Sequence, residues 1–344
     1  MWKIFGCLHN TDILKDINSE NQKYAFKLTK NTRYIQARKS QLSFYKEVPL
    51  YIKVEKDKFI LYKNKGITID EMRIKENIYP STLYIKSSDK IKGIQEAQRA
   101  FNKKIENDIK LGNPENVKES LISIVRETLE EPKSGSIEGL NDTVNILVSD
   151  YSKENDIIRH LVDISHKDYS TTLHSISVMA LALGFASYIN LTREETKLLG
   201  LCGLLHDVGK TKIDQKLLKA QRKLNQEEFE EIKSHTSRGY NILKECKLNG
   251  EYIKYLSITA LEHHEKSDGT GYPLHKTEGQ LAKFSQIIAI IDCYEALTND
   301  DRPYRSAMSP FDALNEIIGA DVKKGKYNKE IFTLFIQSLA TIVK

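Results

Sequence analysis

The sequence predicts a mainly α-helical protein, in which a small α+β N-terminal module and a helical linker precede an all-α C-terminal domain. Strand-like alternation is confined to the first 90 residues or so, whereas helix-start signals recur after Leu140. Between them, residues 131–139 read EPKSGSIEG, and Pro132, Gly135 and Gly139 favour a break in any helix. We expect the module and its linker over residues 1–130 and the C-terminal domain over residues 140–344.

The N-terminal module is defined by its β pattern. Residues 1 to about 45 are polar and weakly patterned. Residues 49–66, PLYIKVEKDKFILYKNKG, place β-branched and aromatic residues around the polar turn EKDK, which predicts a hairpin. Residues 81–88, STLYIKSS, indicate another strand, and residues 67–79 can form one short helix between them. From about residue 89 to residue 131 the chain is charged and helical in tendency.

Three helix starts in the C-terminal domain are explicit. Thr192 with Glu195 and Asn225 with Glu228 each fit a capping box, in which two side chains satisfy backbone N–H groups of the first turn. Residues 309–312 read SPFD and combine an N-cap serine with proline at the first helical position. We find no strand pattern of comparable strength after Leu140.

Composition narrows the functional class. The net charge is +5, from 52 basic and 47 acidic residues, and we interpret this excess as a lysine-rich solvated surface spread over the chain. We therefore expect no nucleic-acid polymer as partner. The four cysteines show no paired spacing and are expected to be reduced. No signal peptide or apolar stretch of about 20 residues is evident, so we expect a cytoplasmic protein that does not bind membranes.

Potential metal ligands are concentrated in one stretch of the chain. Imidazole and carboxylate groups form mixed N/O divalent metal sites, and seven such groups are too many for one tetrahedral ion. They suit two metals that share a bridging ligand. Taken singly, each has a structural alternative, such as a core hydrogen bond between neighbouring groups or an ordinary buried histidine. The seven residues are His174, His206, Asp207, His235, His263, His264 and Asp292.

Together with HDVGK at residues 206–210 and HHEKSDGTGYP at residues 263–273, these ligands resemble the HD-GYP subclass of HD-domain phosphohydrolases. The resemblance covers about residues 160–320. It implies an all-α HD fold, a dinuclear centre, and a phosphodiesterase that opens cyclic di-GMP to pGpG and sometimes cleaves on to GMP. It also implies two divalent metal ions, iron in most members and manganese as an alternative.

The resemblance also implies a role for each residue. One metal would be held by His174, His206, Asp207 and Asp292, and the other by His235, His263, His264 and the second oxygen of Asp207. A hydroxide bridging the metals would attack phosphorus, and Lys210 would stabilise the developing charge. Asp207 and Lys210 are thus the expected catalytic residues. Expected substrate contacts are Lys210, Asp268, Gly269, Gly271, Tyr272, Arg302 and Arg305.

Several of these contacts have a physical basis and a structural alternative. Gly269 and Gly271 allow backbone conformations closed to other residues, and Tyr272 can stack or hydrogen-bond near the centre, although a purely structural turn explains the loop equally well. Arg302 and Arg305 can bind phosphate or guanine edges in a bidentate manner, or form structural ion pairs.

The chain departs from the family pattern at the substrate rim. Some members hold a third metal through a glutamate at the position of Ser170, so two metals are expected here. The usual Ala-Arg pair falls on Ser285 and Gln286, which removes a cation. Two alternatives therefore stay open: a weakly active or inactive receptor that binds a cyclic dinucleotide or a GGDEF-type protein, and a phosphohydrolase acting on another nucleotide such as cyclic GMP-AMP. We expect the N-terminal module to be a regulatory or dimerisation module and the protein to be a homodimer.

Overall fold

The structure is a computed structural model that describes residues 32–69, 79–130, 132, 136–151, 161, 171–299 and 307–342. The chain divides into two compact units, Met1–Glu96 and Ala97–Lys344. This division lies earlier than the domain boundary expected near residues 131–139. The functional limits 1–130 and 140–344 stay a prediction.

The first unit contains one antiparallel sheet. Its strands are β1 (Tyr34–Gln36), β2 (Leu50–Glu55), β3 (Lys58–Lys63) and β4 (Tyr84–Lys86), in the order β1-β4-β2-β3. The predicted hairpin is confirmed, because β2 and β3 pair on either side of a turn in which Asp57 has a φ of 63°. Strand β4 lies within the strand predicted over residues 81–88, whereas β1 was not predicted. Most of the predicted short helix, residues 70–78, lies outside the described residues.

The two faces of this sheet differ in chemistry. Leu50 and Ile85 lie on the face that covers the apolar core of the unit. The opposite face is aromatic, and Tyr34 and Phe59, from the two edge strands, stack with ring centres 4.1 Å apart. Because these strands are at opposite edges, the sheet must coil strongly enough to bring its edges together on this side.

The second unit is helical. Its described α-helices, of which the first begins in the preceding unit, are α1 (Lys90–Lys110), α2 (Pro114–Glu130), α3 (Ser136–Tyr151), α4 (Thr171–Tyr188), α5 (Arg193–Leu205), α6 (Gln215–Leu218), α7 (Gln226–Lys233), α8 (His235–Lys244), α9 (Gly250–Glu262), α10 (Lys283–Thr298), α11 (Pro310–Asp312), α12 (Gly319–Lys323) and α13 (Lys329–Ile342). A 3-10 helix, Val208–Lys212, follows α5, and a π-helix, Ala313–Ile318, joins α11 to α12.

The predicted mainly α-helical fold class is confirmed, and so are the three predicted helix starts. Capping boxes occur at Thr192 and Asn225, and the Ser309 side chain caps α11. After Leu140 the described residues form no strand beyond one isolated bridge between Asp268 and Thr277. None of the helices in the described part of the chain combines the length and hydrophobicity needed to span a lipid bilayer.

The helix break predicted over residues 131–139 is wrong in part. Helix α3 begins at Ser136, so Gly139 lies inside a helix. A side chain at this position would meet Gln98 Oε1 at 1.9 Å, so the glycine serves close packing against α1. The charged stretch before it forms two helices, and α2 packs on α3 and α4 through one buried face.

Helix α4 lies at the centre of the second unit. Fourteen of its 18 residues are buried, which is typical of a helix surrounded by others. It packs against α2, α5, α10 and α13. His174, in the first turn of this helix, is therefore held inside the unit.

Candidate metal centre

The ends of helices bring the predicted ligands together. His174 lies in the first turn of α4 and Asp292 in α10, whereas the other ligands lie at or just beyond the ends of α5, α8 and α9. In two groups the ligand atoms all lie within 4.8 Å of one another: His174, His206 and Asp292 in one, and Asp207, His235, His263 and His264 in the other.

Asp207 lies between the two groups. Its Oδ2 atom is 3.3 Å from His206 Nε2 and 3.5 Å from His174 Nε2. Its Oδ1 atom is 3.3 Å from His235 Nε2 and 3.7 Å from His263 Nε2. The side chain is only 1% exposed, and among the described residues Oδ1 has no hydrogen-bond partner. Each oxygen of one carboxylate thus faces a different group, as a bridging ligand would.

Backbone carbonyls set the tautomer of three histidines. The Nδ1 atoms of His206, His235 and His263 lie 2.7, 2.6 and 3.0 Å from the carbonyl oxygen three residues earlier. A carbonyl oxygen only accepts, so Nδ1 donates and Nε2 keeps its lone pair in the neutral ring. All three lone pairs are therefore presented to the centre, which is the usual arrangement around a bound metal.

The group around His235 fits a cation. Its Nε2 atom is 3.2 Å from that of His263. Burial lowers the pKa of His235 to about 3 and also lowers that of His263, so both rings are neutral near pH 7. Two lone pairs at this separation repel each other, whereas a divalent ion would bind both. The donor set therefore fits a metal.

The other group is oriented by a residue that the sequence did not single out. His174 Nδ1 makes a short contact with the Glu295 carboxylate. Although burial lowers it, the pKa of His174 is raised well above its usual value by Glu295, Asp207 and Asp292. Its Nε2 atom lies 3.1 Å from Asp292 Oδ1 and 3.2 Å from His206 Nε2. Without a metal ion, a proton on the His174 ring would hold these groups together, and a bound metal ion would replace it.

Both carboxylates of the centre are charged. Although burial alone would raise it, the pKa of Asp207 is held well below its usual value by Lys210 and His206. His174 and the neighbouring histidines do the same for Asp292. Two buried carboxylates and several neutral imidazoles supply the negative charge and lone pairs that divalent cations need.

The 3-10 helix after α5 places Lys210 beside Asp207. The lysine ammonium contacts Asp207 Oδ2, and its side chain is 20% exposed. This helix packs directly on the start of α8, because a side chain at Gly209 would meet the carbonyl oxygen of His235 at 1.9 Å. The glycine thus lets ligands from two separate segments approach each other.

The DGTGYP loop lies beside the exposed edge of the centre. His264 is 26% exposed, and its ring centre is 4.9 Å from that of Tyr272. Gly269 has a φ of 80°, as expected for a turn glycine. Gly271 serves close approach instead, because a side chain there would lie 2.3 Å from the nitrogen of Lys266. Asp268 accepts hydrogen bonds from Thr270 and so organises the loop itself.

Two buried glutamates bind the segment that follows this loop, between Pro273 and helix α10. Glu265 accepts hydrogen bonds from the backbone nitrogens of Leu274 and Lys276. Glu262 accepts from Lys276 Nζ and from the nitrogen of Ala282. Neither glutamate was a predicted site residue, although both flank the two adjacent histidines.

Two predicted substrate residues lie outside the described residues, namely Arg302 and Arg305. Ser170 lies outside them as well. Gln286, which stands where the family has a cation, donates from Nε2 to the carbonyl oxygen of Leu281 at 3.2 Å. Its amide therefore binds the chain that precedes α10.

A family model described as an HD domain matches residues 154–331, more than half of the chain. The chain belongs to the HD domain family. The predicted resemblance to HD-GYP proteins is confirmed. A solved structure of an HDG"Y"P protein from Bdellovibrio bacteriovorus matches with a TM-score of 0.57 at 18% identity, over 90% of this chain and all of that one. At this identity, the match supports the HD fold alone.

Curated relatives of this HD-family chain are named as phosphodiesterases. A cyclic di-GMP phosphodiesterase of Pseudomonas aeruginosa is 28% identical over 58% of this chain and 46% of its own length. A 3'3'-cGAMP-specific phosphodiesterase of Vibrio cholerae is 32% identical over 51% of this chain and 39% of its own length. The chain thus spans less than half of the length of these two relatives.

Proposed function

We propose that the protein is a metal-dependent cyclic dinucleotide phosphodiesterase that opens cyclic di-GMP to pGpG and can continue to GMP. One observation carries the proposal: the two oxygens of the buried Asp207 face two separate groups of ligand atoms. The names of the curated relatives support the reaction class and the substrate class. We further propose two divalent ions, iron or manganese, held by the seven predicted ligands.

The bound ions would supply an activated water and polarise the phosphate oxygens. The protein's own groups account for the rest. Asp207 holds the two halves of the centre at a fixed separation. Glu295 fixes the ring of His174, so that its Nε2 atom points inward. Lys210 lies against Asp207, and its partly exposed ammonium can stabilise the charge that develops on a phosphate.

The loop that carries Tyr272 would border the bound substrate. Its ring covers the exposed edge of His264, so a phosphate at the centre would meet the phenol or its neighbours. Asp268, Gly269 and Gly271 would shape this border. Arg302 and Arg305 remain proposed contacts to phosphate or guanine. A homodimer and a GGDEF-type partner also remain predictions.

The test is an incubation of manganese- or iron-loaded protein with cyclic di-GMP, followed by chromatography and metal analysis of the same sample. We expect pGpG or GMP, with about two metal ions per chain. Two bound metals with intact cyclic di-GMP would contradict the proposal and favour a receptor.

A second candidate substrate is 3'3'-cyclic GMP-AMP, because a relative that is 32% identical is named as specific for it. A panel of cyclic di-GMP, cyclic GMP-AMP and cyclic di-AMP under the same conditions would separate the two. A higher kcat/KM for cyclic GMP-AMP would identify the mixed dinucleotide as the substrate.

A further inference from the structure

The border of the metal centre continues past Tyr272 onto helix α7. The Lys233 ammonium lies 5.5 Å from the centre of the Tyr272 ring and 4.7 Å from that of Phe229. Tyr272 in turn lies against His264. One cation shared by two aromatic rings thus connects the exposed edge of the ligand set to the outer surface of α7.

Phe229 offers an open aromatic face at the end of this series. Its side chain is 47% exposed, although it is large and apolar. A single exposed phenylalanine is ordinary on a protein surface. This one lies one turn before Lys233, on the helix that leads directly to His235. Planar bases stack on such rings, with little dependence on which base is present.

Glu230 adds a feature that distinguishes between bases. Its Oε1 atom is 2.7 Å from Lys233 Nζ, and its side chain is 58% exposed. Lys233 also lies over the Tyr272 ring, so this ion pair connects Glu230 to the loop. The neighbouring Glu231 pairs with Arg238 of the next helix at 2.8 Å.

A carboxylate only accepts hydrogen bonds, and its two oxygens match two adjacent donors. Guanine carries such a pair on its Watson–Crick edge, at N1–H and at the 2-amino group. Adenine has an acceptor at N1 beside its amino group, so a carboxylate facing this edge is repelled by the N1 lone pair. Glu230 therefore favours guanine over adenine.

We propose that Phe229, Glu230 and Lys233 form a guanine-binding subsite beside the metal centre. Phe229 stacks on the base, and Glu230 accepts from its Watson–Crick edge. Lys233 holds Glu230 in place and adds positive charge next to the phosphates. The subsite rests on the proposed phosphodiesterase function and names the base that the substrate presents on this side.

The test compares Glu230→Gln and Phe229→Ala with the unmodified metal-loaded protein. Turnover and calorimetric binding are measured with cyclic di-GMP and with cyclic di-AMP. We expect Glu230→Gln to lower kcat/KM for cyclic di-GMP about tenfold, mainly through KM, because one accepting oxygen becomes a donor. Its binding of cyclic di-AMP should not fall. Phe229→Ala should weaken both ligands about tenfold, since stacking tolerates either base.

Two matched variants serve as controls. Glu227→Gln removes a carboxylate one turn earlier on the same helix, and Phe311→Ala removes a phenylalanine that is 72% exposed on α11. Neither should change the preference for guanine. Unchanged thermal unfolding of Glu230→Gln would show that the helix is intact.

The outcomes separate the subsite from the reaction. Turnover of cyclic di-GMP that is unaffected by Glu230→Gln would overturn the subsite and leave the phosphodiesterase standing. The protein could instead fail to hydrolyse cyclic di-GMP and still bind it in preference to cyclic di-AMP through Glu230. That result would overturn the phosphodiesterase and leave the subsite standing. Equal binding of the two dinucleotides by the unmodified protein would also overturn the subsite.

Discussion

Asp207 is the residue on which the two halves of the metal centre depend. Its carboxylate is buried, charged and shared among four histidines from four separate segments. Other ligands belong to one group only, so their loss should affect one ion more than the other. Loss of Asp207 removes a contact from both.

We therefore expect Asp207→Ala to abolish phosphodiesterase activity and to lower bound metal to one equivalent per chain or less. Metal analysis after dialysis, together with turnover of cyclic di-GMP, measures both effects. Glu316→Ala, at an exposed position, should retain full metal and activity. If the Asp207 variant kept two ions, the bridging role would be wrong.

The sequence identified the ligands more readily than the residues that orient them. Most of the ligands lie in or at the end of an apolar helix, so their polarity is visible without a structure, whereas His235 lies between two polar helices and was recognised through the family pattern. Glu295 gives a weaker signal: it lies three positions after Asp292, and only the packing of α10 on α4 shows that it meets His174. Glu262 and Glu265 bind backbone nitrogens of the segment that follows the DGTGYP loop. The spacing of residues in the sequence does not show that this segment lies beside them.

Helix α7 shows how a local signal supports the centre. Its first turn is closed by Asn225 and Glu228, and Glu228 also pairs with Arg222. The hydrogen bond from Arg222, followed by that from the Asn225 backbone, lowers the pKa of Glu228 from 4.5 to about 2. Because the folded value lies below the ordinary one, this stabilisation is present above pH 4.5 and is lost as the pH falls towards 2.

Glu228→Gln should accordingly lower the unfolding midpoint at pH 7, and the difference from the unmodified protein should shrink as the pH falls below 4.5. Thermal unfolding between pH 7 and pH 3 measures this dependence. Glu227→Gln, in the same turn, changes a carboxylate that has no arginine partner among the described residues, and it should show a smaller difference at pH 7. A pH-independent loss would contradict the role of the carboxylate charge.

The DGTGYP loop depends on close backbone contact at Gly271. A side chain there would lie 2.4 Å from the Cα atom of Glu265, so the loop would have to move away from the segment that follows His264. We expect Gly271→Ala to lower stability by several kcal/mol, or to reduce turnover at least tenfold if the loop shifts. Urea unfolding and steady-state kinetics measure the two effects.

Gly279→Ala is the matched control, because Gly279 lies in the same connection between α9 and α10 and no described residue comes within 4 Å of the position of its added carbon. It should change stability by less than about 1 kcal/mol. Equal effects of the two substitutions would show that flexibility of the loop, and not space at Gly271, matters.

Local sequence signals predicted most of the secondary-structure elements but missed those that depend on pairing with a distant segment of the chain. The hairpin and the three caps carry their own local signals. Strand β1 has only three residues and is stabilised by pairing with β4, so its alternation is too short to detect. The break between α1 and α2 is local, at Gly112 with a φ of 66°, but it lies within a charged stretch that favours helix throughout.

At the scale of the whole molecule, the charge is divided unevenly, contrary to our expectation of an even spread. Residues 1–96 carry 19 basic and 11 acidic residues, whereas residues 97–344 carry 33 and 36. The unit that holds the metal centre is thus slightly acidic. Its affinity for an anionic dinucleotide must come from local groups and bound metal, not from the overall charge of +5.

Metal binding should stabilise the folded protein as a whole. Any ligand that binds only the folded state adds about 2.7 kcal/mol at a free concentration 100-fold above its Kd. We expect saturating manganese to raise the unfolding temperature of the metal-free protein by several degrees, as measured by calorimetry. Asp207→Ala should show a smaller rise. No change in the unmodified protein would contradict the metal centre.

The ligand groups also have a topological consequence. Bound ions would tie α4 to α10 and, through Asp207, to the start of α8 and the end of α9, and so act as reversible cross-links across a long stretch of chain. Cross-links that close long loops restrict the unfolded chain most strongly. The supply of metal in the cell would then determine both the catalytic activity of the protein and its lifetime in the presence of proteases. When metal is scarce, the metal-free protein would be degraded and would not accumulate.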